Sequence, residues 1–174
     1  HSTITFMNAY ILCGGASLRM GRPKVMLPFQ GKPMGIHIAN VAEEAGFSPF
    51  FIAKGFQDFE LPFPILVDQV EKRHPISGIL RAMAHCSEEY FLLLPCDTPF
   101  LTSAALSQFL ENPVRSIAYD QQVHPLIGVY STLDLERAQD ALKENTSMRV
   151  FSKDFSTVSF PSEELHNCNH PEDL

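Results

Sequence analysis

The sequence predicts a three-layer α/β/α domain with a mostly parallel sheet and an antiparallel element in the C-terminal half. Three observations carry this expectation. Short apolar runs alternate with helical patterns over residues 9–110, an order that right-handed crossovers convert into parallel strands. Tyr90-Phe91-Leu92-Leu93-Leu94 is apolar throughout, as a strand covered by helices on both faces must be. Residues 114–119 and 126–130 flank the polar turn Asp120-Gln121-Gln122, which reads as an antiparallel pair.

Taken in order, Ala9-Tyr10-Ile11-Leu12 is the first buried strand. Apolar residues 25–29 lead to the turn Gln30-Gly31-Lys32-Pro33. The spacing of Ile36, Ile38, Ala39, Val41, Ala42 and Ala45 then predicts a helix that stops at Gly46. Pro49-Phe50-Phe51-Ile52-Ala53 is a second strand ending at Lys54-Gly55, and Ile65-Leu66-Val67 a third ending at Asp68. Residues 56–64 between them are aromatic and proline-broken, hence a loop. After the polar stretch 69–75, expected to be mobile, Ser77 is the expected N-cap of a helix that turns Ile79, Leu80, Ala82, Met83 and Ala84 inward. The apolar strand at 90–94 runs into Pro95-Cys96-Asp97-Thr98-Pro99, and Thr102 or Ser103 caps a helix through Ala105, Leu106, Phe109 and Leu110. Residues 133–142 form an amphipathic helix and 157–160 a late strand. With no repeat, low-complexity tract or linker, residues 1–174 are expected to form a single domain, and His1-Ser2 carry no weight.

A chain of 174 residues, 45% hydrophobic and 19% charged, has ample material for one core. Its net charge of −7 argues against nucleic acid as a partner, since backbone phosphates are bound by broad basic patches. Any anionic ligand must meet local cations or a metal. Cys13, Cys86, Cys96 and Cys168 show no Cys-x-x-Cys spacing, which points to reduced thiols and a cytoplasmic protein rather than a disulfide framework. No apolar run is long enough to span a bilayer and no signal peptide is apparent, so no membrane association is expected.

The chemistry gathers at strand ends. Leu12-Cys13-Gly14-Gly15-Ala16-Ser17-Leu18-Arg19-Met20-Gly21-Arg22-Pro23-Lys24 is a glycine-rich, cationic stretch directly after a strand. Glycine lets phosphates approach backbone amides, while Arg19, Arg22 and Lys24 supply charge. It is neither a P-loop nor a dinucleotide fingerprint, because Gly21 precedes Arg22-Pro23 and the glycine spacing differs. A turn with exposed basic residues is the plain alternative. Lys54, Asp68 and Asp97 also follow strands and should share one edge with Gly14-Gly15, where α/β sheets bind ligands. Asp97, after the most apolar strand, is costly to desolvate unless it meets a cation or donors. Magnesium, held by one or two carboxylates plus waters and phosphates, is the expected ion. A helix cap or turn acceptor is its plain alternative.

The pattern Leu-x-Gly-Gly-x-Ser-x-Arg-Met-Gly-x-x-Lys resembles the signature loop of nucleotidyltransferases, and Gly14-Gly15 most resembles the molybdenum cofactor guanylyltransferases of MobA type. Pro95-Cys96-Asp97-Thr98-Pro99 resembles their Pro-Cys-Asp-x-Pro segment, His74-Pro75-Ile76-Ser77-Gly78 their Gly-Pro-Leu-Ala-Gly stretch, and His124-Pro125-Leu126 their His-Pro segment. Asn167-Cys168-Asn169-His170-Pro171-Glu172-Asp173-Leu174 resembles their terminal Asn-x-Asn-Thr-Pro-Glu-Asp-Leu. Cys13 stands where the family usually has Ala, Lys54 where many members have Asn, His74 for a Gly and His170 for a Thr.

The resemblance implies a Rossmann-like domain that transfers GMP from GTP to molybdopterin or its molybdenum form and releases pyrophosphate. It implies Arg19 and Lys24 at the triphosphate, with Leu12, Gly14, Gly15, Lys54 and Gly78 along the nucleotide. Asp97 would hold magnesium and Asp68 would meet the guanine N1/N2 donors. His124, Asn167 and Asn169 fall on the pterin side, with surface or turn roles as their alternatives. Transient contact with molybdoenzymes or their chaperones follows from such a product. Two rivals stand beside it: a CTP-using or sugar-phosphate nucleotidyltransferase of the same fold, and a catalytically silent nucleotide-binding accessory protein.

Overall fold

The computed structural model describes residues 6–14, 16–17, 22–55 and 60–168. Its centre is a seven-stranded sheet of β1 (Met7–Leu12), β2 (Phe47–Lys54), β3 (Ile65–Asp68), β4 (Tyr90–Pro95), β5 (Ser116–Tyr119), β6 (Val123–Ser131) and β7 (Ser156–Ser159). The strands lie in the order β7-β5-β6-β4-β1-β2-β3. β1 pairs in parallel with β2 and β4, β2 with β3, and β7 with β5. Only β6 runs against its neighbours, β4 and β5, which is the expected antiparallel element.

Helices α1 (Met34–Ala45) and α3 (Ser103–Glu111) cover one face of the sheet, where Ile38, Ala39, Ala42, Leu106 and Phe109 join Ala9, Ile11, Leu92 and Leu94 in a core. α2 (Pro75–His85) and α4 (Leu135–Glu144) cover the other, with Ile76, Ile79, Ala82, Ala138 and Ala141 against Tyr10, Phe91, Leu93 and Tyr130. Successive residues of β1 and β4 thus belong to opposite cores, and the apolar run at 91–94 is fully buried. A short helix α5 (Met148–Phe151), not foreseen from the sequence, adds Phe151 to the second core. Four residues are too few for a helical period to register.

One capping expectation is corrected. α2 begins at Pro75, and its N-cap is His74, whose Nδ1 accepts from the Ile76 amide at 3.1 Å. Proline suits the first helical position, where its missing N–H costs nothing. Ser77 therefore lies inside the helix, and its hydroxyl turns to other work. Thr102 caps α3 by accepting from the Ala105 amide at 3.2 Å, as expected.

Candidate active site

A cleft of about 270 Å³ opens where β1, β2, β3 and β4 end, beside the start of α2. Its walls are held by bonds that run one residue past the strands. The Cys13 amide donates to the Ile52 carbonyl at 2.9 Å, extending the β1–β2 ladder. The Cys96 thiol donates to the Cys13 carbonyl at 3.2 Å, tying the end of β4 to that of β1. Burial pushes the Cys13 thiol up to about 12 and lifts Cys96 well above its ordinary range. These sulfurs are neutral packing groups rather than nucleophiles. The next residue on each strand is Gly14 or Asp97. Gly14 has φ of +67°, a left-handed turn natural to glycine.

At one end of the cleft, Lys24 of the short 3-10 turn Lys24–Met26 brings Nζ to 3.9 Å from Oδ2 of Asp97. Burial raises the Asp97 carboxyl above its usual range, and Lys24 offsets this only in part. The segment around it is fixed through its carbonyls: Cys168 donates its amide to the Asp97 carbonyl at 2.7 Å, and His37 Nε2 meets the Pro99 carbonyl at 2.8 Å. Thr98 Oγ1 is buried without a hydrogen-bond partner among the described residues. A desolvated carboxylate with incomplete compensation has affinity to spare for a cation. Among the described residues no three metal-ligating side chains cluster, so a bound ion would draw its remaining ligands from water and phosphate. That donor set fits magnesium, which dehydrates reluctantly and seldom sits in an all-protein cage.

At the other end, Lys54 and Asp68 are register partners on β2 and β3. Lys54 Nζ donates to Asp68 Oδ2 at 2.9 Å, to Ser77 Oγ at 2.8 Å and to the Val70 carbonyl at 2.6 Å. Ser77 Oγ lies 2.7 Å from Asp68 Oδ2, and the Val70 amide donates to Oδ1 at 3.0 Å. Burial pushes the Asp68 carboxyl up, but the bonds from Lys54, Ser77 and Val70 outweigh it and hold it below the usual range. Asp68 is therefore an ionised, acceptor-only group at neutral pH. Gly78 brings α2 close to the floor, since a Cβ there would lie 2.5 Å from Leu12 Cδ2.

The cleft brings together Leu12, Gly14, Lys24, Lys54, Asp68, Gly78 and Asp97. Gly15, Arg19 and Asn169 lie outside the described residues. His124 and Asn167 do not line it. His124 Nε2 is 2.9 Å from Asp120 Oδ1, whose carboxyl the Gln121 amide and His124 hold far below its usual range. Asn167 is exposed, next to the Cys168 amide that binds Asp97. Arg73, Ser77 and Leu126 also line the cleft, beyond the ligand contacts that the sequence predicts. Arg73 was discoverable as a cation beside the Pro-Ile-Ser-Gly stretch. Leu126 is not, because its approach depends on β6 pairing with β4, a neighbour the sequence does not name. No helix among the described residues is long and apolar enough to cross a membrane.

A family model described as the MobA-like NTP transferase domain matches residues 9–158. A protein of Aquifex aeolicus named as a probable molybdenum cofactor guanylyltransferase is 31% identical over 176 residues, covering 95% of this chain and 87% of the relative. A solved structure of a protein from Aquifex aeolicus VF5 superposes with a TM-score of 0.76 at 26% identity, covering 95% of this chain and 94% of that one. The crystal structure of molybdopterin-guanine dinucleotide biosynthesis protein A from Archaeoglobus fulgidus superposes with a TM-score of 0.72 at 20% identity, covering 96% and 94%. These likenesses agree with the α/β/α Rossmann-like architecture.

Proposed function

Since the chain belongs to the family of MobA-like NTP transferase domains, we propose that it is a guanylyltransferase that moves GMP from GTP to molybdopterin or its molybdenum form. One observation carries this reading: a single cleft holds the Lys24–Asp97 pair at one end and an ionised Asp68 at the other. The first suits a transferring phosphoryl group, the second a base that presents N–H donors. Guanine presents two adjacent donors there, N1–H and the N2 amino group, whereas cytosine offers only its N4 amino group beside the acceptors N3 and O2.

The acceptor's terminal phosphate oxygen attacks the α-phosphorus of GTP. The bond from that phosphorus to the β-phosphate oxygen breaks, and pyrophosphate leaves with its electron pair. The nucleophile is already anionic, so no general base is required. The work is alignment and charge stabilisation. Gly14 allows backbone approach to the phosphates, and with Gly15 and Arg19 it belongs to the triphosphate side. Lys24 neutralises the triphosphate and the departing pyrophosphate. Asp97 would hold magnesium, which when bound supplies charge neutralisation at the reacting phosphates. Leu12 and Gly78 shape the floor beneath the nucleoside, Lys54 and Asp68 form its base end, and His124, Asn167 and Asn169 belong to the pterin side. The reading implies a cytoplasmic enzyme that hands its product to molybdoenzymes or their chaperones.

Pyrophosphate release from GTP with magnesium and molybdopterin is the direct test. Turnover with GTP supports the reading. Nucleotide binding without turnover favours an accessory role, and thermal stabilisation by CTP alone overturns the choice of base.

A further inference from the structure

The hydrogen-bond count at the base end separates two jobs open to a lysine in a nucleotide cleft. An ammonium has three N–H donors, and those of Lys54 have acceptors in Asp68 Oδ2, the Val70 carbonyl and Ser77 Oγ at 2.6–2.9 Å. These belong to three places: the end of β3, the connection after it, and the first turn of α2. Asp68 is occupied in turn. Of its four lone-pair positions, Oδ2 gives two to Lys54 and Ser77 and Oδ1 gives one to the Val70 amide. Among the described residues Oδ1 meets no second donor, and Asp68 lines the cleft.

We propose that Lys54 is a positioning residue: it touches Asp68 rather than the nucleotide, and its triple contact keeps that carboxylate ionised with Oδ1 as the acceptor that selects a purine carrying a hydrogen on ring N1. This rests on the guanine reading above. Among the described residues, Arg73 and His74 before α2 line the same cleft, and Arg81 of α2 donates its Nε to the Val67 carbonyl at 3.0 Å. None of them has a bond to the Asp68 carboxylate among the described residues. Loss of Lys54 thus removes the main cation that opposes the desolvation of Asp68. The sign follows: with that ammonium gone, Asp68 protonates at higher pH, and a protonated carboxyl no longer discriminates by accepting alone.

The test compares wild type, Lys54→Met and Ser77→Ala in GTP titrations and steady-state kinetics from pH 5 to pH 8, with ATP as the competing purine. Methionine keeps the stem and deletes the charge. Lys54→Met should raise KM for GTP about tenfold at pH 8 with a smaller change in kcat, on the roughly 1.4 kcal/mol per decade scale. It should also move the acid limb of kcat/KM upward and narrow the preference for GTP over ATP. Ser77→Ala, which keeps the ammonium, should move the limb the same way by less, and it serves if Lys54→Met fails to fold. An unchanged acid limb and unchanged GTP preference in both variants would overturn the proposal while leaving the guanine reading intact. A wild type that binds GTP and ATP alike would overturn both.

Discussion

Asp97→Asn should make the protein more stable while removing its activity. The Asp97 side chain keeps 19% of its exposure, and among the described residues its ion-pair partner is Lys24, with Nζ 3.9 Å from Oδ2. Burial holds its carboxyl above the usual range despite Lys24, so the ionised group is a net cost to the fold before ligand binds. Exchange for a neutral amide of the same shape should raise stability on the order of 1 kcal/mol, about 2–4 °C in a chain of this size. The pH dependence has a definite sign. A carboxyl whose folded pKa is raised stabilises fully below its unfolded pKa, near 3.9, and loses that contribution as pH rises through the folded value. The advantage of the variant is therefore absent at strongly acidic pH and present at pH 7.5. Turnover should fall by roughly a thousandfold, since several kcal/mol of metal stabilisation are lost at 1.36 kcal/mol per decade. Calorimetry without nucleotide at both pH values, with single-turnover pyrophosphate release at pH 7.5, measures the two halves. A less stable variant at pH 7.5, or near-normal turnover, would refute the assignment.

Gly78→Ala gains up to about 1 kcal/mol of helix propensity, but its Cβ displaces Leu12 Cδ2 from 2.5 Å. We expect a melting temperature within a few degrees of wild type and a roughly tenfold higher KM for GTP, an overpacking cost of about 1–3 kcal/mol directed into the cleft. An unchanged KM would mean that Leu12 relaxes elsewhere. Glu164→Ala should cost about 2 kcal/mol, because Glu164 Oε1 accepts from both the amide and the hydroxyl of Thr102, at 2.7 and 2.8 Å. Urea denaturation reads this directly, and an unmoved midpoint would show that the tether carries no load.

The fold was legible where physics left the sequence little choice. β4 must be apolar on both faces because two cores meet across it, and Gly46, with φ of +107°, ends α1 as a left-handed cap must. The hairpin at 116–131 was announced by its polar turn. Legibility failed where the deciding partner is distant in sequence. Ser77 has the composition of an N-cap, yet Pro75 starts the helix earlier and Asp68 claims the hydroxyl. Lys54 and Asp68 were each placed at a strand end, but their pairing is a property of β2–β3 register. Leu126 lines the cleft on a strand whose pairing with β4 no local pattern announces. The cationic loop could be recognised from its glycines and charges; Gly15 and Arg19 within it lie outside the described residues.

The bond from the Cys168 amide to the Asp97 carbonyl, with the Glu164 tether beside it, also sets an order of assembly during synthesis. Leu12, Gly14, Lys24, Lys54, Asp68 and Asp97 leave the ribosome in sequence, so these residues of the cleft are all made soon after β4. The support behind Asp97 arrives roughly seventy residues later, several seconds at about 5–20 residues per second. In that interval the Asp97 segment lacks the amide and the tether that fix it in the finished chain.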